Sequence, residues 1–110
     1  MSYPPGALRV PGAPVSAYLL LEIDWHDQAK AKEYREKLTP VLEKYGGRTL
    51  YAGVATVLEG TWKPPRLVLI EFPTMERLRT WYASPEYAPL LKLRLDGAAN
   101  KMLAFEQAPP

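Results

Sequence analysis

The chain of 110 residues contains one histidine, His26, and an arginine placed directly after two prolines, Arg66. These two side chains are the best equipped for chemistry. An imidazole with an unperturbed pKa near neutrality can take or give a proton at physiological pH, and it can also serve as a single axial ligand to haem iron. In the plainer reading His26 is a solvated loop residue ahead of a helix cap, since the sequence has no second histidine and no cysteine to share a metal with it. The planar guanidinium of Arg66 suits a carboxylate or an enolate, which it can grip through two parallel hydrogen bonds. An ion pair with Glu22 or Asp24 is the alternative use for it. Tyr51 is a further candidate for moving a proton.

Around this trio, with His26, Arg66 and Tyr51 as the catalytic candidates, a ligand pocket would draw on Glu22, Asp24, Trp62, Trp81, Tyr82, Tyr87 and Asn100. Aromatic walls with a few polar anchors are what small-molecule sites usually offer, although the same rings serve equally well as core or interface packing. Trp62 stands out because its loop position gives it no obvious packing role. Glu22 and Glu71 end two antiparallel strands at opposite ends of the sheet, which argues against a paired-carboxylate mechanism within one subunit. The chain has no glycine-rich phosphate loop, serine nucleophile elbow or paired-histidine helix motif, so no metal site and no cofactor are expected.

Bulk properties narrow the field further. Hydrophobic residues make up 47% of the chain and charged residues 24%, a composition that folds rather than one that stays disordered. The formal charge of +2 is spread along the chain and provides no concentrated field for nucleic acid or an anionic membrane. The absence of cysteine suits a reducing compartment. With no signal-like N-terminus and no apolar run of spanning length, a cytoplasmic protein is expected.

The elements that must position these side chains are legible in outline. Residues 1–16, with four prolines, read as an extended arm, residues 17–107 as one domain, and residues 108–110 as a short tail. Ala17 to Ile23 is an apolar strand. Asp27 caps a helix whose inner face carries Ala31, Tyr34, Leu38 and Leu42, with a kink expected at Pro40 and a stop at Gly46-Gly47. Arg48 to Ala52 and Thr56 to Glu59 read as one strand bulged at Gly53, and Arg66 to Phe72 as the next. Thr74 caps a second helix, Pro89 implies a break before a last helical piece, and Lys101 to Glu106 closes the domain.

The order β-α-β-β-α-β predicts an α+β, ferredoxin-like fold, an antiparallel sheet with both helices on one face. Its central strands are apolar on both parities, so the helix-free face calls for a second copy packed sheet to sheet. A homodimer follows. On this topology the candidate side chains are expected to gather at one end of the domain.

The phrases KYGGR at Lys44 to Arg48 and LEGTWKPPRLVLIEFPTMERLRTWYASPEY at Leu58 to Tyr87 resemble the family known as domain of unknown function 1330, within the dimeric α+β barrel superfamily. The resemblance spans roughly Ala17 to Gln107. It implies the barrel dimer as the fold, and a superfamily whose members include cofactor-free monooxygenases, muconolactone-isomerase-like enzymes, haem-handling proteins and proteins with no known catalysis. Two functions are therefore carried forward. One is binding or transforming a small anionic or aromatic metabolite without a cofactor; the other is a non-catalytic dimeric interaction or stress-related module. Haem handling, resting on His26 alone, is a third.

Overall fold

A computed structural model describes residues 15–107. The expectations for the arm, apart from Val15 and Ser16, and for the tail lie outside these residues. In chain order the elements are β1 (Ala17–Trp25), α1 (Gln28–Lys44), β2 (Arg48–Gly53), β3 (Leu67–Phe72), α2 (Met75–Tyr82), α3 (Ala88–Gly97) and β4 (Ala98–Glu106). The strands form one antiparallel sheet in the order β2-β3-β1-β4, with β1 and β3 at its centre. This is the α+β, ferredoxin-like arrangement the element order predicts.

Strand alternation decides what each face does. Ala17, Leu19, Leu21 and Ile23 of β1 are buried beneath the helices together with Ile70 and Phe72 of β3. Pairing with Leu21, Ile23 and Trp25 carries Met102, Asn100 and Ala98 of β4 onto the same face. The other parity, Tyr18, Leu20, Leu69, Leu103 and Phe105 among them, lies on the helix-free face. There Leu103 and Phe105 remain substantially exposed, and Tyr18 stacks on Phe105 at a centroid distance of 5.6 Å.

The helix ends follow local chemistry. Asp27 accepts a hydrogen bond from the Lys30 backbone N–H at 3.1 Å, and Thr74 does the same for Arg77 at 3.1 Å. After α1 the backbone N–H of Gly46 bonds to the Glu43 carbonyl and that of Gly47 to the Leu42 carbonyl. This paired closure needs a left-handed residue, supplied by Gly46 at φ 80°. Gly47 is held by space instead, because a Cβ there would stand 2.7 Å from the Phe72 ring. Pro40 sits inside α1, as expected.

Four local expectations are corrected. Thr56 to Glu59 is not strand, since β2 stops at Gly53 opposite Leu67, where β3 begins, and Pro64-Pro65 ahead of it have no N–H groups with which to extend a ladder. The bulge falls between Thr49 and Tyr51 rather than at Gly53. Pro89 does not break a helix; it occupies the first turn of α3, where its missing N–H costs nothing. Finally, β4 starts at Ala98 and not at Lys101, because Ala98, Ala99 and Asn100 pair with Trp25, Asp24 and Ile23. Partner strands supply what those residues lack in strand propensity.

Candidate functional site

α1 packs against α3, and between its inner face and the sheet lies an opening whose lining includes Thr49 and Ala52 of the edge strand β2. The result is a cleft of about 180 Å³. Leu21, Ile23, Val68 and Ile70 form its floor from the sheet, while Trp25, Tyr34 and Leu38 close one side. Arg66 and Arg35 are the two cations in its lining. Arg66 comes just before β3, and its carbonyl accepts the Ile23 N–H at 3.0 Å, which anchors the backbone against the end of β1. Among the described residues its guanidinium has no ion-pair or hydrogen-bond partner. The competing use for Arg66 is not taken up: Glu22 accepts the Trp62 indole N–H at 2.6 Å and lies 3.8 Å from Lys101.

Behind the cleft, α1 and α3 are joined by a buried polar cluster. The Tyr34 and Tyr87 hydroxyl oxygens are 2.7 Å apart, and Arg94 Nε donates to the Tyr87 oxygen at 3.2 Å. Arg94 is only 2% exposed and has no carboxylate partner among the described residues. Asn100 donates its amide to the Arg94 and Ala98 carbonyls, while its buried Oδ1 has no partner among the described residues. Burial pushes the Tyr34 phenol well above the usual tyrosine range, with Tyr87 adding to the rise and the Arg94 charge opposing it. For Arg94 burial is the largest single influence and pulls downward, but the phenols of Tyr87, Tyr34 and Tyr82 together outweigh it and the net direction is upward.

Glu22, Asp24, His26, Trp62, Arg66 and Asn100 do share the sheet end where β1 finishes, but the pleat sends them to opposite faces, and Tyr82 lies away from that end. Arg66 lines the cleft. Glu22 and Trp62 lie on the helix-free face beside Lys101 and Leu20, around a separate hollow of about 300 Å³. Tyr51, paired with Leu69, is on that face too and is 43% exposed. Asp24 and His26 are exposed, and the His26 backbone N–H bonds to the Gly97 carbonyl at 2.9 Å. Trp81 and Tyr87 are fully buried with ring centroids 4.1 Å apart, and the Trp81 indole N–H has no partner among the described residues. Tyr82 faces a different groove of about 330 Å³ beside β4, with Leu78, Arg79 and Met102. Glu22 pairs in register with Leu67 and Glu71 with Tyr18, so the two carboxylates do lie at opposite ends. Among the described residues no group of three or more His, Asp or Glu side chains could hold a metal ion.

Sequence reasoning passed over Tyr34, Arg35 and Arg94 as functional side chains. A signal for Arg94 exists: Leu90, Arg94 and Gly97 are the buried positions of α3, so a cation occupies a core position at helical spacing.

The fold is shared with solved structures of low sequence identity. A protein of unknown function from Rhodopseudomonas palustris is 15% identical over 88% of this chain and 85% of its own, with a TM-score of 0.72. SnoaB, a cofactor-independent oxygenase from Streptomyces nogalater, is 12% identical over 89% of this chain and 97% of its own, with a TM-score of 0.60. A hypothetical protein of Arabidopsis thaliana is 16% identical over 89% of each chain, also with a TM-score of 0.60. No curated protein matches the chain. The strand order and the EFPTMER and SPEY segments fall within residues 16–108, which match the model of the domain of unknown function DUF1330, and the protein belongs to that family.

Proposed function

We propose that this protein binds a small planar anion, of the size of a single substituted aromatic ring, in the cleft between α1 and the sheet, and that it transforms the molecule without a cofactor. The observation that carries the reading is Arg66: a half-buried cation lining an apolar cleft with no acidic partner among the described residues. An unpaired guanidinium beside apolar walls gains most from an anionic ligand that brings its own apolar body. A cavity of on the order of 150 Å³ accommodates one benzene ring, so about 180 Å³ suits one ring with a small substituent. Arg35, exposed on α1, adds a second positive charge at the same cleft. SnoaB, described as a cofactor-independent oxygenase, is a precedent for cofactor-free chemistry on this fold, though fold likeness alone assigns no reaction.

The functional unit in this proposal is a homodimer paired through the helix-free sheet face. Tyr18, Leu20, Leu69, Leu103 and Phe105 form its apolar centre, and a surface of this kind ordinarily meets a partner. His26 and Tyr51 lie outside the cleft lining, so the proposal gives the anion-holding role to Arg66 and no proton transfer to either.

The test is titration of the purified protein with benzoate, followed by calorimetry, beside Arg66→Ala. Saturable binding that weakens by about tenfold or more in Arg66→Ala, with unchanged circular dichroism, supports the reading, because a hydrogen bond to a charged group contributes roughly 1.5–3 kcal/mol. Equal affinity in the two proteins, or no binding by the wild type, overturns it.

A further inference from the structure

The polar cluster behind the cleft has a proton left over. A guanidinium only donates, and each phenol carries one hydroxyl proton. Between Tyr34 and Tyr87 a single O–H can be spent on the 2.7 Å bond that joins them. The other phenolic proton has no acceptor among the described residues, and it sits beside a buried positive charge that no carboxylate balances. Such groups are costly inside a protein unless something satisfies them.

Geometry indicates which phenol keeps the spare proton. Tyr87 is completely buried against Trp81 and its oxygen accepts from Arg94 Nε; Arg94 also acts on the Tyr34 oxygen, but of the two phenols only Tyr34 lines the cleft. Donation from a cation draws electron density from that oxygen and makes its own proton the better one to give, so each bond in the chain strengthens the next. The order is then Arg94 to Tyr87 to Tyr34. Tyr34 also forms part of the cleft wall beside Trp25, whose ring centroid is 5.5 Å away. Its proton is the one left for something in the cleft.

We propose that Tyr34 is the hydrogen-bond donor of the cleft, giving its hydroxyl proton to an oxygen of the ligand, and that Tyr87 and Arg94 are positioning residues that hold it in that donor state. The inference rests on the cleft reading above and narrows it. The ligand is a planar ring bearing an oxygen acceptor such as a carboxylate, phenolate or enolate, gripped by Arg66 and by Tyr34. The buried Arg94 charge reaches that oxygen through two phenols without touching it.

The first experiment needs no ligand. Subtracting the Tyr34→Phe Raman spectrum from that of the wild type isolates the Tyr34 ring doublet, whose intensity ratio distinguishes a phenol that accepts a hydrogen bond from one that donates. An acceptor-type ratio is expected in the free protein, and a shift towards an acceptor-and-donor ratio when benzoate is added. A donor-type ratio in the free protein overturns the proton order. In parallel, benzoate affinity is expected to fall about tenfold in Tyr34→Phe and in Arg94→Gln, with part of it recovered in Arg94→Lys. Wild-type affinity in Tyr34→Phe, alongside a loss in Arg66→Ala, overturns the donor role and leaves the cleft reading standing. Indifference of the wild type to benzoate overturns the cleft reading and with it the ligand role of Tyr34. A donor-type doublet, by contrast, rejects the proton order and with it the donor role of Tyr34, and leaves the Arg66 cleft reading standing.

Discussion

The hydroxyl oxygens of Tyr34 in α1 and Tyr87 at the start of α3 meet 2.7 Å apart, inside a layer of helix packing that is otherwise almost wholly apolar. The two rings are nearly perpendicular, at 76° with centroids 6.3 Å apart, so the contact is made by the oxygens and not by stacked faces. Arg94 completes it from the same side. A charge this deep, with no carboxylate partner among the described residues, is costly to bury.

Replacing Arg94 by methionine should raise the stability of the ligand-free protein. A buried cation with only phenol partners gives up more hydration than its hydrogen bonds return, and an apolar chain of similar volume avoids that cost. A gain of about 1 kcal/mol or more is expected in denaturant unfolding, together with the weakened benzoate binding described above. A clear loss of stability would mean that the guanidinium holds the helices together.

The pH dependence of stability should single out Tyr34. Its folded-state pKa is raised above the ordinary value of 10.0, chiefly by burial. A group shifted in that direction contributes its full stability below the unfolded value, and the contribution declines as pH rises beyond it, since only the unfolded chain then releases the proton. Wild-type protein should therefore lose stability above about pH 10 more steeply than Tyr34→Phe, with the other tyrosines and lysines common to both. Parallel urea midpoints across pH 9 to 11 would contradict the buried, protonated phenol.

The helix-free face should govern self-association. Leu103, 56% exposed and pointing away from the helices, is the position where a charge does least to the fold of one subunit and most to a sheet-to-sheet contact. Sedimentation is expected to give a dimer for the wild type and a monomer for Leu103→Asp. An unchanged mass would move the interface elsewhere.

Gly47 should be intolerant of even one methyl group. A Cβ there would press into the Phe72 ring, and Phe72 is fully buried against Trp81 with ring centroids 5.3 Å apart. Gly47→Ala is expected to cost about 1–3 kcal/mol through forced repacking. Thermal unfolding equal to that of the wild type would show that the β2 start can move aside.

Local chemistry made much of the fold readable in the sequence. Asp27 and Thr74 cap the helices predicted from them, Gly46 and Gly47 stop α1 where two glycines in succession demand it, and the apolar runs of β1 and β3 become the two central strands. Each of these signals acts over a few residues, so the sequence alone determined them. The extent of β2 and the start of β4 did not follow, because strand ends depend on whether a partner with free backbone groups lies opposite. Pro64-Pro65 deny one to Thr56 to Glu59, and β1 provides one to Ala98 and Ala99. The site was less legible still. Period-two alternation sends neighbouring residues to opposite faces, and only the tertiary structure decides which parity the helices cover; that choice put Arg66 in the cleft and Glu22, Trp62 and Tyr51 beyond the sheet. Tyr34 and Arg94 read in sequence as members of helix faces. Arg94 meets Tyr87 only seven residues away, but the meeting of Tyr34 with Tyr87 joins α1 to α3 across 53 residues of chain, a distance no local pattern spans.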